Sequence, residues 1–269
     1  MENLKAKATA TYNAAADYFD DPALGFWERF GQATVDRLHL RAGAGVLDVC
    51  AGSGASAIPA ARRVGVAGRV VAVDLAENLL ALGAAKARRE GLTNIEFRRG
   101  DLENLEYSPE SFDAVIVVFG IFFLPDWPLA TRQLLRMVKR GGRLAVTTWG
   151  PDLFEPANTI FWSAVRDVRP DLLRAFNPWD RLTDPDAVRQ LLLSAGALDV
   201  HVEAVEATHQ LSTPADFWKI VLGSGYRGTI EAMTQLEQHT LRTRVVDELM
   251  TKNSTDLIVN VIYALATAH

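Results

Sequence analysis

Between Ala44 and Trp149 the chain repeats one unit: a short β-branched run, a turn, then a stretch with helical spacing. Such repetition marks βαβ units, and successive units fold as a parallel sheet covered by helices. The runs Gly45–Val49, Arg69–Asp74 and Asn94–Arg98 read as the first three strands, followed by Phe112–Phe119 and Arg143–Thr148. The fourth is almost continuously apolar, as a strand covered on both faces must be. Leu79, Leu80, Leu82 and Ala85 recur at helical spacing ahead of Gly91. Leu129, Leu134, Leu135, Met137 and Val138 mark a further amphipathic helix, which Gly141-Gly142 closes before strand five.

Outside this block the pattern loosens into helical segments at Thr9–Leu40, at Asp152–Phe176 and at Pro214–Met250. His201–Val205 and Leu257–Ala266 are read as strands six and seven. Alternatively Thr208–Leu211 is the seventh strand and the C-terminus is helical. The expected fold is therefore α/β, a doubly wound, seven-stranded, mostly parallel sheet with helical additions.

Composition narrows the function classes. A net charge of −5 supplies no basic surface to neutralise phosphates, so nucleic acid is not the expected partner. The single cysteine, Cys50, cannot form an internal disulfide, and Met1-Glu2-Asn3-Leu4-Lys5 lacks the apolar run of a signal peptide, so a cytoplasmic location is expected. The apolar stretches break well short of the roughly 20 residues that span a bilayer, so no membrane span is expected.

Strand one runs directly into Asp48-Val49-Cys50-Ala51-Gly52-Ser53-Gly54-Ala55. The glycines allow a tight turn and a close approach to a ligand at the start of the next helix. Taken alone, Gly52-Ser53-Gly54-Ala55-Ser56-Ala57 also fits the dinucleotide fingerprint, and a lone match does not select a cofactor. Two further acids do more. Asp74 ends strand two, where a carboxylate can accept both hydroxyls of a ribose. Asp101 follows strand three in Arg99-Gly100-Asp101-Leu102, placed to accept from an adenine amino group. Ligands of open α/β sheets bind at this carboxyl edge, near the switch in strand order.

From Val46 to Trp149 the chain resembles the class I S-adenosylmethionine-dependent methyltransferases, the group that includes the ubiquinone and menaquinone C-methyltransferases and natural-product small-molecule enzymes. Val46–Gly54 resembles the first motif of that family, Ala72–Asn78 its ribose-binding turn, and Gly100-Asp101-Leu102 its adenine-side motif. Ser111–Val115 with Phe119-Gly120 resembles the fourth-strand motif, and Leu134–Leu144 the signature before strand five. The resemblance implies a Rossmann-like methyltransferase fold with S-adenosylmethionine as cofactor and S-adenosylhomocysteine as product. It implies a helical N-terminal lid over 1–40, a cofactor-binding core over 41–150, and acceptor-site helices with the last strands over 151–269, with insertions after strands five and six.

Carried over by position, the resemblance gives the methionine part to Asp48 and to the backbone of Gly52 and Gly54, with Cys50 and Ala51 in the same loop. Asp74 takes the ribose; Leu75, Gly100, Asp101 and Leu102 take the adenine side. Phe119 and Gly120 lie beside the amino acid portion, and Tyr18 of the lid is the first choice for contact there. Cys50 departs from the family, which has glycine or alanine at that place. Nothing basic flanks it to stabilise a thiolate, so it is not read as a nucleophile.

Methyl transfer from a sulfonium is an in-line displacement from an activated donor, so alignment and exclusion of water are the main requirements. No general base is assigned, and no metal is expected. His201 and His209 read as ordinary satisfied histidines. After strand four stands the apolar Ile121-Phe122-Phe123-Leu124-Pro125-Asp126. Phe122, Trp149, Phe154, Phe161, Trp162, Phe176 and Trp179 are candidates for a mostly apolar acceptor pocket able to hold a ring system. The expected acceptor is a small molecule with carbon, oxygen or nitrogen as the methylated atom, and the chain a monomer or homodimer. Two other readings stay open: an NAD(P)-dependent oxidoreductase, and a methyltransferase-fold protein that uses the cofactor only as scaffold, as a cyclase, isomerase or binding module.

Overall fold

The computed structural model describes residues 2–173 and 177–269, with the side chains of residues 2–4 left aside; the candidate Phe176 lies outside the described residues. Seven strands form the main sheet: β1 (Gly45–Val49), β2 (Arg69–Asp74), β3 (Ile95–Arg99), β4 (Phe112–Val118), β5 (Val138–Trp149), β6 (Leu198–Val205) and, last in the chain, β9 (Val261–Thr267). Their order is β3-β2-β1-β4-β5-β9-β6. All neighbours up to β5 are parallel, and β9 runs antiparallel between β5 and β6. The remaining strands, β7 (Thr208–Gln210) and β8 (Asp256–Ile258), pair only with each other.

This corrects the reading of the C-terminus in two respects. The apolar run from Leu257 is not one strand: Leu257 belongs to β8, and the main sheet resumes at Val261. Asn260 makes the break, its side chain accepting from the Ala207 N–H and its carbonyl from the Gly150 N–H. Thr208–Gln210 is a strand, but of the small sheet, and the C-terminus is not a helix.

Ten helices flank the sheets among the described residues: α1 (Glu2–Ala15), α2 (Phe26–Leu38), α3 (Ala57–Val64), α4 (Glu77–Arg89), α5 (Trp127–Met137), α6 (Ala157–Val168), α7 (Pro185–Ser194), α8 (Phe217–Leu222), α9 (Arg227–Ile230) and α10 (Gln235–Thr251). None of the described helices is long and apolar enough to cross a membrane. Helix α5 stops one residue before expected, and Val138 already pairs with Phe112 in β5.

Period-two alternation splits the sheet cleanly into two cores. Leu47, Val49, Val71, Val73, Val115, Val117, Leu144 and Val146 join Leu134 and Leu135 of α5 and Leu191 and Leu192 of α7. Val46, Val70, Ala72, Ala114, Ile116 and Ala145 join Val35 and Leu38 of α2 and the alanine-rich face of α3. Alanines at three strand positions on that side leave room for α2 and α3 to sit close. Helix α2 is thus a core element on the sheet, with Phe26 and Phe30 fully buried. Of the segment 1–40, it is α1 that extends over the carboxyl edge, packed against α4, α9 and the turn at Ile121–Phe123.

A buried hydroxyl pair fastens α2 to β5. The Thr34 hydroxyl donates to the Phe30 carbonyl (2.8 Å), so the Thr147 hydroxyl, 2.8 Å away, donates to Thr34 Oγ1; both threonines are 1% exposed. Thr34→Val strands the Thr147 hydroxyl and is expected to cost about 1–3 kcal/mol in urea unfolding. Adding Thr147→Val should recover much of that loss, because replacing both partners leaves no orphan. A double variant as unstable as the sum of the two single variants would contradict this assignment.

Candidate active site

Strand β1 pairs with β2 on one side and β4 on the other, so the strand order reverses at the β1–β4 boundary. A crevice at the carboxyl ends of these strands is the normal ligand site of such a sheet. A cavity lies there, walled by the loops after β1 to β4 and roofed by α1.

Asp74 organises its edge. Its carboxylate accepts from the Gly52 N–H (2.8 Å) and from the Ala76 N–H (2.8 Å), tying the glycine-rich loop to the β2–α4 turn. Burial pushes its pKa up, while these backbone donors pull it down. Asp101 accepts from the Lys5 ammonium of α1 (2.6 Å), which also pairs with Glu103. Across the loop, the Ser53 hydroxyl donates to Asp20 (2.6 Å), and Lys86 of α4 donates to both. Two ion-paired clusters therefore anchor the N-terminal segment onto the cavity rim.

The floor of the cavity is set by unusual backbone. Cys50, at the end of β1, has φ 58°, and Phe119, at the end of β4, has φ 52°. Left-handed conformations at residues other than glycine cost about 1–3 kcal/mol and cluster at functional sites. A Cβ on Gly120 would lie 2.4 Å from Cys50 Cβ, so the thiol can pack there only against glycine. Burial, with the charges of Asp74, Asp48 and Asp101, pushes the Cys50 thiol far up, which removes it as a nucleophile. The Phe119 ring stacks on Trp149 at 3.8 Å.

Ten of the thirteen sequence-assigned cofactor residues line this cavity: Cys50, Ala51, Gly52, Asp74, Leu75, Gly100, Asp101, Leu102, Phe119 and Gly120. Three do not. Tyr18 lies in the chain reversal after α1, with its backbone against Gly223, and does not line the cavity; Tyr12 of α1, with Phe19 and Trp27, supplies the aromatic wall instead. Gly54 lies under the loop against Ile58 and Phe97, its N–H bonded to the Ala51 carbonyl. Asp48 is fully buried beneath the loop, where it accepts from the Ser56 hydroxyl (2.7 Å). Phe123 and Leu124, from the segment after β4 that the sequence predicts as an apolar, aromatic wall, also line the cavity, as do Lys5 and Thr9, which carry no signal in the sequence. Helix α1 gave no motif, and its side chains reach the cavity only through the tertiary fold.

Two further spaces adjoin. One, of about 610 Å³, is bounded by Tyr12, Phe122, Phe123, Trp127, Trp179 and the cations Lys7 and Arg181. The other, of about 20 Å³, is bounded by Trp27, Trp149, Phe154, Trp162, Trp179, Ser224 and Tyr226. Tyr12 lines all three cavities. Of the acceptor-pocket candidates, Phe122, Trp149, Phe154, Trp162 and Trp179 border one or both of these spaces. Phe161 does not. It is fully buried in the core, with its ring against Trp162 and Tyr226. His209 bonds the Ala23 carbonyl (2.9 Å), and His201 lies exposed on β6, so neither histidine faces the cavity. Among the described residues there is no cluster of three His, Cys, Asp or Glu that could hold a metal.

Burial raises the Asp48 carboxyl to about 7 from an ordinary value near 3.8; the Asp74 charge adds to the rise, and bonds from Ser56 and the Ala57 N–H oppose it. Its Oδ1 has no hydrogen-bond partner. A carboxyl raised in the fold favours the folded state at low pH, and that contribution fades as pH climbs from about 4 through 7. Asp48→Asn is isosteric and does not titrate. Relative to the parent it should gain stability from about pH 4 to about pH 7 in urea melts and level off above; a difference that stays flat with pH would contradict the raised value.

The residues at this edge fit S-adenosylmethionine: a backbone cradle at Gly52, one acid at each of two successive strand ends, and an apolar, aromatic wall. Residues 13–170 match the model of the ubiE/COQ5 methyltransferase family. A ubiquinone/menaquinone biosynthesis C-methyltransferase of Cronobacter sakazakii is 32% identical over 153 residues, 56% of this chain and 60% of that protein. Its counterpart in Haemophilus ducreyi is 30% identical over 162 residues, 60% of this chain and 61% of that protein. The chain thus spans about 60% of the length of these curated relatives. The fold is shared with a Haemonchus contortus phosphoethanolamine N-methyltransferase 2 bound to phosphomonomethylethanolamine and S-adenosylhomocysteine (TM-score 0.61, 18% identity, 98% of this chain and 59% of that one). It is also shared with a Bacillus halodurans methyltransferase structure (TM-score 0.58, 17% identity, 88% and 98%). The matched segment covers more than half of the chain, from the end of α1 through α6, and the chain belongs to the ubiE/COQ5 methyltransferase family.

Proposed function

We propose that the chain is an S-adenosylmethionine-dependent methyltransferase acting on a small, mostly apolar or aromatic molecule. The observation that carries this reading is the pairing of Asp74 with the Gly52 backbone at the switch in strand order, with Asp101 one strand further along. When bound, S-adenosylmethionine supplies a methyl group already activated on a sulfonium. Each residue at the edge then has a positioning role. The Asp74 carboxylate keeps lone-pair capacity beyond its bonds from the backbone of Gly52, Leu75 and Ala76 and takes the ribose hydroxyls. Asp101 and Leu102 border the adenine end, and the Cys50–Gly52 loop with Phe119 and Gly120 borders the methionine end.

Asp48 lies buried beneath the loop, where its ionised form would favour a cationic group above it. Helix α1 covers the cofactor, held by Lys5 at Asp101. The acceptor occupies the aromatic spaces that meet at Tyr12, where water is excluded and alignment lowers the barrier. Where the acceptor atom carries a proton, that proton leaves as the methyl group arrives, and no side chain is assigned to take it. A cytoplasmic setting is part of the same reading, supported by a single, free cysteine.

Calorimetric titration with S-adenosylmethionine, S-adenosylhomocysteine and NAD(P)H tests the reading. Micromolar binding of both sulfur nucleosides is expected, weakened at least about tenfold by Asp74→Ala, the loss of one charge-assisted contact. Gly52→Val, which puts a branched side chain at φ 53° beside Phe19, should abolish binding. Circular dichroism confirms that both variants fold. Binding of the nicotinamide nucleotide instead, or of none, would overturn the proposal.

A further inference from the structure

The two edges of the main sheet are built differently. At one end β3 is five residues long and carries Glu96, Arg98 and Arg99, charges that discourage a further strand. At the other end β6 is eight residues long and includes Leu198, Val200, Val202, Ala204 and Val205, with no proline. It pairs only with β9, so the backbone groups on its outer side have no strand to bond. An edge of this kind is a template for another strand. Arg189 of α7 donates to the Val200 carbonyl (2.8 Å), which keeps a second lone pair. Leu193 and Leu198, on either side of the turn from α7 into β6, are 46% and 42% exposed and add apolar surface at the same margin.

The charges along β6 select the partner. His201 and Glu203 pair with Leu265 and Tyr263 of β9, stand on one face, and border an open groove of about 630 Å³ with Arg143 and Thr267. Glu203 holds Arg37 of α2 (2.8 Å), yet its side chain is still 43% exposed. Two copies of one strand pair antiparallel about a two-fold axis normal to the sheet. With that axis at Val202, His201 faces the partner's Glu203 at both ends of the pairing, and Val200 faces the partner's Ala204 on the other face. An imidazole N–H donates to a carboxylate whether or not the ring is protonated. An axis at His201 would set Asp199 against the partner's Glu203, and an axis at Glu203 would set that carboxylate against itself; like charges directly opposed are unfavourable. Nearer its start the strand is bulged at Asp199, where φ is 46°.

We propose that the outer edge of β6 is an interaction surface for a second copy of this chain, the two strands pairing antiparallel about Val202 so that one sheet runs through both copies. Strand order places β6 at the far end of the sheet from β1 to β4, whose carboxyl ends carry the cofactor cavity, so the pairing leaves both cavities open. The surface is independent of the methyltransferase reading.

Light scattering over a range of chain concentrations, together with crosslinking by oxidised glutathione, tests it. The parent should reach twice the 29.5 kDa of one chain. Val202→Cys, which meets itself across the axis, should form a disulfide-linked pair. Ala204→Cys, which faces the partner's Val200, should not, and neither should the parent, whose Cys50 packs beside Gly120 in the cavity floor. Glu203→Lys and His201→Glu should each weaken association about tenfold, because each change acts at two symmetric pairs. The double variant restores opposite charges across the axis and should recover the parent's association, although it still lacks the ion pair with Arg37. A parent that stays monomeric, equal crosslinking at 202 and 204, or a double variant as weak as the two single variants combined would overturn the proposal.

Discussion

The geometry of the site depends on one carboxylate. Asp74 sits at the end of β2, yet it accepts from Gly52 in the loop after β1 as well as from Ala76 in its own turn. Two loops that could otherwise move separately become one rim. The residue is half-buried, and burial opposes its charge, while the aligned backbone donors favour it. A partly compensated carboxylate of this kind has reason to take further donors, such as a pair of vicinal hydroxyls. Removing it would therefore affect both the ligand contact and the loop that cradles the ligand.

The same economy governs the floor. Cys50 and Phe119 hold left-handed backbone at the ends of adjacent strands, and Gly120 is the residue small enough to accept the Cys50 side chain. This clears a path along the β1–β4 boundary and presents the Phe119 ring to Trp149. Above it, Lys5 and Asp20 clamp the N-terminal segment by ion pairs that are partly screened by solvent. Such pairs are worth little individually.

The strands were legible because each carries its own period: β1, β2 and β4 alternate between two buried faces, and their ends carry the acids. The cofactor edge followed from that, since residues at the ends of parallel strands must share one edge. Tyr18 was a different case. Whether it or Tyr12 or Phe19 faces the cavity depends on where α1 ends and how the chain reverses, which no local spacing fixes. Phe161 was misplaced for a related reason: an amphipathic helix bearing adjacent Phe161 and Trp162 does not say which one faces the core. Two signals were present and went unread. Asp184-Pro185 is a capped start for α7, and Asn260 is a polar break inside the apolar run from Leu257.

Hydrogen–deuterium exchange with and without saturating S-adenosylhomocysteine tests the central claim most directly, because it locates the ligand on the backbone. The account predicts slower exchange at residues 50–54, 74–76 and 100–104, and in α1, with the small β7–β8 sheet unchanged. Unchanged exchange at the loops after β1 to β3, or protection confined to another face of the sheet, would contradict it.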